Sequence, residues 1–260
     1  MAEASATTNG WPGSASAQYD PGAYGRAVAH DYDSLYKTVP DTDQAVALLA
    51  RLSGGGPVLE MGIGTGRLAL PLQARGIEVV GIEASPEMID ELRAKPGGDA
   101  IPVTVGNFAD AAVDGEFSVV VLALHTIFGL PTPDDQIRCF ENAAAHLEQG
   151  GVFVVEARVM DAGDFAGGQT VAPRFSDDQQ VELQVQRFDV VTQRVEVTNV
   201  HLSDGGVRLN SYVNQYTTPR ELDLMARIAG LRLRDRWEGW GGEPFTAHSR
   251  CHVSVYELPA

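Results

Sequence analysis

The stretch VLEMGIGTGRLALPL, residues 58–72, sets Gly62, Gly64 and Gly66 at alternate positions between an apolar run and a leucine-rich one. A strand that ends in such a turn and runs straight into a helix lets a ligand approach bare backbone at a helix start, where unpaired amides and the helix dipole attract polar groups. Three ligand classes use that geometry. A mononucleotide loop requires Gly-Lys and then Ser or Thr, but here Gly66 is followed by Arg67 and Leu68. A dinucleotide fingerprint requires glycine where Arg67 stands, so that helix and strand pack closely. The third pattern has an acid two residues ahead of three alternating glycines, and Glu60 completes it.

Outward from this turn, short apolar runs alternate with helical patterns from residue 24 to about 160. That alternation predicts a mostly parallel sheet wrapped by helices. The strand candidates are PVLEMG, IEVVGIE, IPVTVG, FSVVVLAL and GVFVVEARV. In SPEMIDELRAK, Ser85 suits the cap and Pro86 the first helical position, while Met88, Ile89 and Leu92 form an apolar face. In DDQIRCFENAAAHLEQGG, Ile137, Phe140, Ala144 and Leu147 recur at helical spacing, with Gly150 and Gly151 as the expected stop.

Past residue 160 the period changes to two. QVELQVQRFDVV, QRVEVTNVHLS and GVRLNSYVNQYTT are joined by turn-like TQR and SDGG, which predicts an antiparallel insert over residues 163–216. Thr218, Pro219 and Glu221 open a capped helix that Gly230 ends. Two strands, LRLRDRWEGW and CHVSVYEL, close the chain. Residues 1–18, rich in Ala, Ser, Thr and Gly, read as a mobile tail ahead of a domain spanning 19–260.

The chain has 260 residues, with 19 Lys and Arg against 35 Asp and Glu, a formal charge of −16. An acidic surface repels nucleic acid and anionic membranes, so the expected partner is a small molecule. Two cysteines supply neither a disulfide framework nor a thiolate cage, in keeping with a cytoplasmic setting. No apolar run reaches membrane-spanning length. The histidines show no metal-ligand spacing, and no metal is expected.

With Glu60 and the three glycines, the order of elements resembles that of class I S-adenosylmethionine-dependent methyltransferases. YGRAVAHDYDSLY before the first strand and HVSVYE at the end resemble actinobacterial-type small-molecule members, over roughly residues 24–258. The resemblance implies a doubly wound, mostly parallel seven-stranded Rossmann-like sheet, with the antiparallel insert as substrate cover. It also implies S-adenosylmethionine as cofactor and S-adenosylhomocysteine as product. Glu60 would help hold the aminoacyl end, and Gly62, Gly64 and Gly66 would make room for methionine and ribose. Glu83, ending the next strand, would accept from the ribose hydroxyls, with Ala84 and Met88 beside it. Asn107 stands where the family usually carries an acid for the adenine amine, and Phe108 would cover the ring. Tyr24 and Leu124 complete the expected cofactor contacts, while Tyr32 and Tyr36 would share a helix face above the sheet.

Methyl transfer from a sulfonium is an in-line displacement that needs alignment and sometimes a base. His125, in LHTIF where relatives commonly carry Asn, either accepts a proton or only orients its surroundings. Glu156 and Arg158 either bind a polar substrate or pair with each other. Arg187, Tyr212, Asn214 and Tyr216 in the insert would form a polar and aromatic substrate wall. The expected reaction is methyl transfer to an O, N or S atom of a small metabolite in specialised biosynthesis. Alternatives are a cyclase or rearrangement enzyme that keeps the cofactor, a nicotinamide-dependent oxidoreductase, and a non-catalytic regulator that keeps the pocket. Oligomeric state is open at the level of sequence.

Overall fold

The computed structural model of the chain describes residues 19–35, 41–160, 163 and 168–259. The expected tail at residues 1–18 and Tyr36 lie outside them. Helices α1 (Ala23–Leu35) and α2 (Thr42–Ser53) precede β1 (Val58–Met61), α3 (Ala69–Ala74), β2 (Val79–Glu83), α4 (Pro86–Arg93) and β3 (Val103–Val105). Then follow β4 (Phe117–Leu122), α5 (Pro133–His146) and β5 (Leu147–Arg158). Strands β6 (Gln169–Ser176), β7 (Gln180–Asp189), β8 (Arg194–Ser203) and β9 (Gly206–Gln215) come next. Helix α6 (Pro219–Ile228), β10 (Arg232–Trp237) and β11 (Cys251–Glu257) finish the chain.

The main sheet has seven strands in the order β10-β11-β5-β4-β1-β2-β3. β3, β2, β1, β4 and β5 run parallel, while β11 pairs antiparallel with both β5 and β10. Both faces of the sheet are covered, which is why all six residues of β4 are buried and only Ser118 interrupts its apolar run. On one face, Leu59, Val120, Phe153 and Val155 pack with α5 and α6 residues such as Phe140 and Leu222. On the other, Val58, Val119, Val121 and Val154 meet Val46 and Leu49 of α2 and Leu72 of α3. Phe140 sits edge-on to Phe153 and to Tyr256, with ring centroids 5.0 and 5.5 Å away. Each such aromatic pair adds about 0.5–1.5 kcal/mol beyond its buried area.

The caps follow the sequence. Ser85 accepts from the Met88 amide at 3.4 Å, and Thr218 with Glu221 forms a reciprocal capping box. Helix α5, however, ends at His146, ahead of the expected stop at Gly150 and Gly151. Leu147 is already extended and opens β5, and Gly150 donates its amide to the Leu258 carbonyl within the sheet.

The insert is a separate antiparallel sheet, in the order β6-β7-β8-β9. It has one strand more than the sequence predicts. β6 carries Pro173, at the edge of the sheet and beside an irregularity between Pro173 and Phe175, the positions where a strand tolerates proline. Val195 and Val197 of β8 anchor this sheet in the main core. Among the described residues, no helix is long and apolar enough to cross a membrane.

Candidate active site

Strand order reverses between β1 and β4, so the crevice of the sheet opens at their carboxyl ends. The chain leaves β1 through Gly62, Gly64 and Gly66, all at positive φ. A Cβ on Gly66 would lie 2.4 Å from Leu92 Cδ1, whereas one on Gly64 would project into open space. Gly66 is therefore bare for packing and Gly64 for access.

Two carboxylates hold this turn. Glu83, at the end of β2, accepts from the Gly64 amide at 2.9 Å and from the Ala84 and Ser85 amides at 2.9 and 3.0 Å. Burial raises its pKa against the pull of those amides. On the other side, Asp33 of α1 accepts from the Thr65 hydroxyl at 2.6 Å and pairs with Lys95, whose ammonium donates to the Thr65 carbonyl at 2.8 Å. Helix α1 is thus tied over the glycine turn.

Tyr32, Glu60, Gly62, Ile63, Gly64, Thr65, Arg67, Ala123, Leu124 and Thr126 line the cavity beneath α1. Glu60 is buried, and its Oε2 has no hydrogen-bond partner. Burial pushes its carboxyl up to about 8, against the Arg67 guanidinium and the Ala69 amide. Arg67 donates from Nη1 to Thr42 Oγ1 at 3.0 Å, while its Nη2 is buried without a partner. Buried polar atoms are almost always satisfied, so an orphan acceptor and an orphan donor in one cavity fit a ligand that carries both an ammonium and a carboxylate. The methionyl end of S-adenosylmethionine is such a group. The sequence pattern marks Arg67 only by what it excludes, and gives no reason to place it at a ligand.

Where β4 ends, Leu124 and His125 both adopt left-handed backbone, with φ of 51° and 60°. Each such residue costs about 1–2 kcal/mol, and strain of this kind gathers at functional sites. Glu156 holds the pair in place: its Oε2 accepts from the Leu124 amide at 2.7 Å, and its carbonyl accepts from the His125 amide at 3.2 Å. Leu124 and Thr126 line the cavity and His125 lies between them, its Nδ1 buried without a partner. Burial, with Arg158 beside it, lowers the imidazole pKa to about 4, so the ring is neutral at neutral pH.

Several expected residues make other contacts in this structure. Glu156 makes no ion pair with Arg158, which is exposed; its carboxylate takes the Leu124 amide instead. Met88 is buried against Val28 and Ala29 of α1 and packs helices together. Tyr24 is 36% exposed, its ring edge-on to Tyr212 at 5.4 Å, and it is Tyr32 that reaches the cavity. Asn107 accepts the Ala109 amide at 3.0 Å, and Phe108 packs on the main core. Tyr216 is buried between Phe128 and Phe188, and its hydroxyl accepts the Met160 amide at 3.1 Å. Burial raises its pKa.

The inner face of the insert is set by register. Tyr212 pairs with Val197, which is buried in the main core, so the row containing Gln186, Val197 and Tyr212 faces the body. Arg187 pairs with Glu196 in the alternate row and faces outward, which removes it from the expected substrate wall. In its place the inner face offers amides: Gln184 donates to Asn199 at 3.0 Å, and Gln186 donates to Gln184 at 3.0 Å.

A doubly wound sheet whose crevice carries a glycine turn, with acids ending its first two strands, defines a fold built to bind the nucleoside of S-adenosylmethionine. Residues 58–151 match the methyltransferase domain family. The chain is 30% identical to the cypemycin N-terminal methyltransferase of a Streptomyces species, over 92% of this chain and 98% of that protein. Among solved structures, the CcbJ methyltransferase from Streptomyces caelestis is 39% identical, with a TM-score of 0.87, over 93% of this chain and all of the other. CalS10 from Micromonospora echinaspora, an amino pentose methyltransferase solved with S-adenosylmethionine bound, shares the fold at 22% identity and a TM-score of 0.66, over 87% of this chain and 96% of its own. This chain belongs to the class I S-adenosylmethionine-dependent methyltransferases, and S-adenosylmethionine is its cofactor. That membership overturns the nicotinamide-dependent alternative.

Proposed function

We propose that the chain methylates the amine nitrogen of a small metabolite, in specialised biosynthesis. The observation that carries this is His125, a buried neutral imidazole with an unpartnered Nδ1, held in strained backbone between the cavity-lining Leu124 and Thr126. The cofactor supplies a methyl group on an electrophilic sulfonium. An alcohol attacking that group needs a base, and an imidazole whose pKa has fallen to about 4 is a poor one. A neutral amine already owns its lone pair and needs only to be aimed. His125 Nδ1, as an acceptor, takes one amine N–H and fixes the direction of attack. The similar cypemycin enzyme is named for an N-terminal methylation, which agrees with an amine acceptor. The charge of −16 favours the approach of amines, which are cationic in bulk water.

In this reading Glu60 holds the cofactor's ammonium and Arg67 its carboxylate. Gly62, Gly64 and Gly66 leave room for its chain, and Glu83 spends its remaining acceptor capacity on the ribose. Ala84, Asn107 and Phe108 bound the adenine side, and Leu124 closes the floor. Tyr212 and the amides of the inner insert face meet the acceptor.

The test is a pair of acceptors that share one scaffold, one bearing an amine and the other a hydroxyl, each incubated with S-adenosylmethionine. Release of S-adenosylhomocysteine with a product heavier by one methylene is expected for the amine alone. Comparable turnover of the alcohol would sink the amine assignment, and an isomeric product without S-adenosylhomocysteine would sink methyl transfer itself.

A further inference from the structure

The outer face of the insert sheet is largely apolar and is left uncovered by the described residues. Cross-strand partners share a face, so the register aligns Val171 and Leu183 with Val200, Leu202, Val207 and Leu209 on the side away from the main core. Val171, Val207 and Leu209 are 64%, 67% and 64% exposed. Strands of up to ten residues, four abreast, span on the order of 600 Å². That whole face, its charged rows included, approaches the ~800 Å² that each partner gives to a stable interface.

We propose that this face is the interface for a second copy of the chain, the two sheets packing as a sandwich about a two-fold axis. Charge selects the occupant. A chain of net charge −16 repels its own copy over most of its surface. The middle rows of this face, however, carry no ionisable side chain; those rows include Val171, Val185, Thr198 and Ser211, and Leu183, Val200 and Leu209. At the rim, Arg187 and Glu196 pair at 3.1 Å and offer both signs. A two-fold contact sets this neutral strip on itself and leaves the acidic surface outside. The Thr198 and Ser211 hydroxyls in the middle bond each other at 2.8 Å, which leaves a single O–H to find an acceptor across the two-fold. The chain's own N-terminus is a poor occupant, since residues 1–18 hold only Met1 and Trp11 as large apolar side chains apart from Pro12.

Sedimentation equilibrium of the full chain tests this at tens of micromolar. The parent is expected at twice the mass of one chain, or an even multiple of it. Leu209→Glu and, separately, Ser211→Arg are expected to halve that mass, since a charge near the two-fold meets its own image. Both positions are exposed within one chain, so each variant should fold and keep the parent's thermal shift with S-adenosylhomocysteine. A parent of single-chain mass overturns the proposal. So does a folded, cofactor-binding variant that keeps the parent's mass. Deletion of residues 1–18 should leave the dimer intact; a dimer that forms only on deletion assigns the face to the chain's own N-terminus and equally overturns it.

Discussion

Glu60 and Arg67, an acid and a base, line one cavity and make no ion pair with each other; Glu60 Oε2 and Arg67 Nη2 are both buried without partners. A salt bridge would have been the cheap solution in a chain that only needed stability. Keeping the two apart leaves an acceptor for an ammonium and a donor for a carboxylate, at the cost of desolvating both.

The Glu60 carboxyl, pushed by burial from 4.5 to about 8, makes that cost titratable. Between those values the folded state holds a proton that the unfolded state lacks, so the stability it contributes is complete below pH 4.5 and is lost as pH rises through 8. Glu60→Gln cannot titrate, and its melting temperature relative to the parent should climb from pH 5 to pH 9. An ammonium bound to Glu60 needs the carboxylate ionised. Cofactor binding at pH 7, below the ordinary α-amino pKa of about 7.7–8, should therefore expel up to about one proton. Calorimetry in buffers of different ionisation enthalpy reads that number. The same proton count in Glu60→Gln would show that the ammonium lies elsewhere.

Arg67→Met keeps the apolar stem and removes the fork. Affinity for S-adenosylhomocysteine should fall about ten- to hundredfold, matching the ~1.5–3 kcal/mol of hydrogen bonds to a charged group. An analogue lacking the α-carboxylate should bind parent and variant alike. If it too discriminates between them, Arg67 acts through the fold and not through the carboxylate.

Glu83 has more to do than the sequence pattern implies, because it holds the amides of Gly64, Ala84 and Ser85. Glu83→Ala should weaken cofactor binding by roughly 1.5–3 kcal/mol and also strand buried amides at about 1–3 kcal/mol. Each kcal/mol is worth about 2–4 °C at this chain length. Loss of affinity with an unmoved melting temperature would show that the amides find other partners.

The glycines separate packing from access. Gly66→Ala sets a Cβ 2.4 Å from Leu92 Cδ1, at a φ of 87° that L residues avoid, and should lower the melting temperature strongly. Gly64→Ala meets no protein atom, and its φ of 54° costs only about 1–2 kcal/mol. Its larger effect should be on affinity, because on the proposed reading the methyl enters the space left for the cofactor. Equal melting temperatures for the two variants would contradict the assignment.

The main sheet was legible because its signals are local: Ser85 caps, Thr218 and Glu221 form a box, and the buried runs end in glycine turns. Gly25 shows how a motif hides a contact, since a Cβ there would lie 2.5 Å from Ser85 Cβ and hold α1 off α4. What sequence left dark depends on residues far apart in the chain. Pro173 disguised an edge strand as a loop. Arg187 alternates with Gln186 in sequence, and only the anchoring of Val195 and Val197 in the core decides which of the two faces inward. Glu156 and Arg158 invited pairing by proximity, while the strained turn at Leu124 claimed the carboxylate.

On the proposed reading, His125 adds no titration of its own to catalysis. With its pKa lowered to about 4 by burial and by Arg158, the imidazole is neutral throughout pH 6–9 and contributes no inflection there. The rate should instead rise with pH as the acceptor amine loses its proton, with a midpoint that moves when the acceptor is replaced by one of different basicity. His125→Phe removes the acceptor nitrogen and should lower kcat about tenfold, the worth of one aimed hydrogen bond of about 1.4 kcal/mol, without changing cofactor affinity. His125→Asn, which restores an acceptor oxygen, should recover much of that rate. The same ring bears on stability: unfolding frees it to charge below its ordinary pKa of 6.5, so its contribution is complete above pH 6.5 and is lost as pH falls toward 4. A midpoint near neutrality that stays fixed across acceptors and vanishes in both variants would instead make His125 a titrating base, and the preference for amines over alcohols would lose its physical ground.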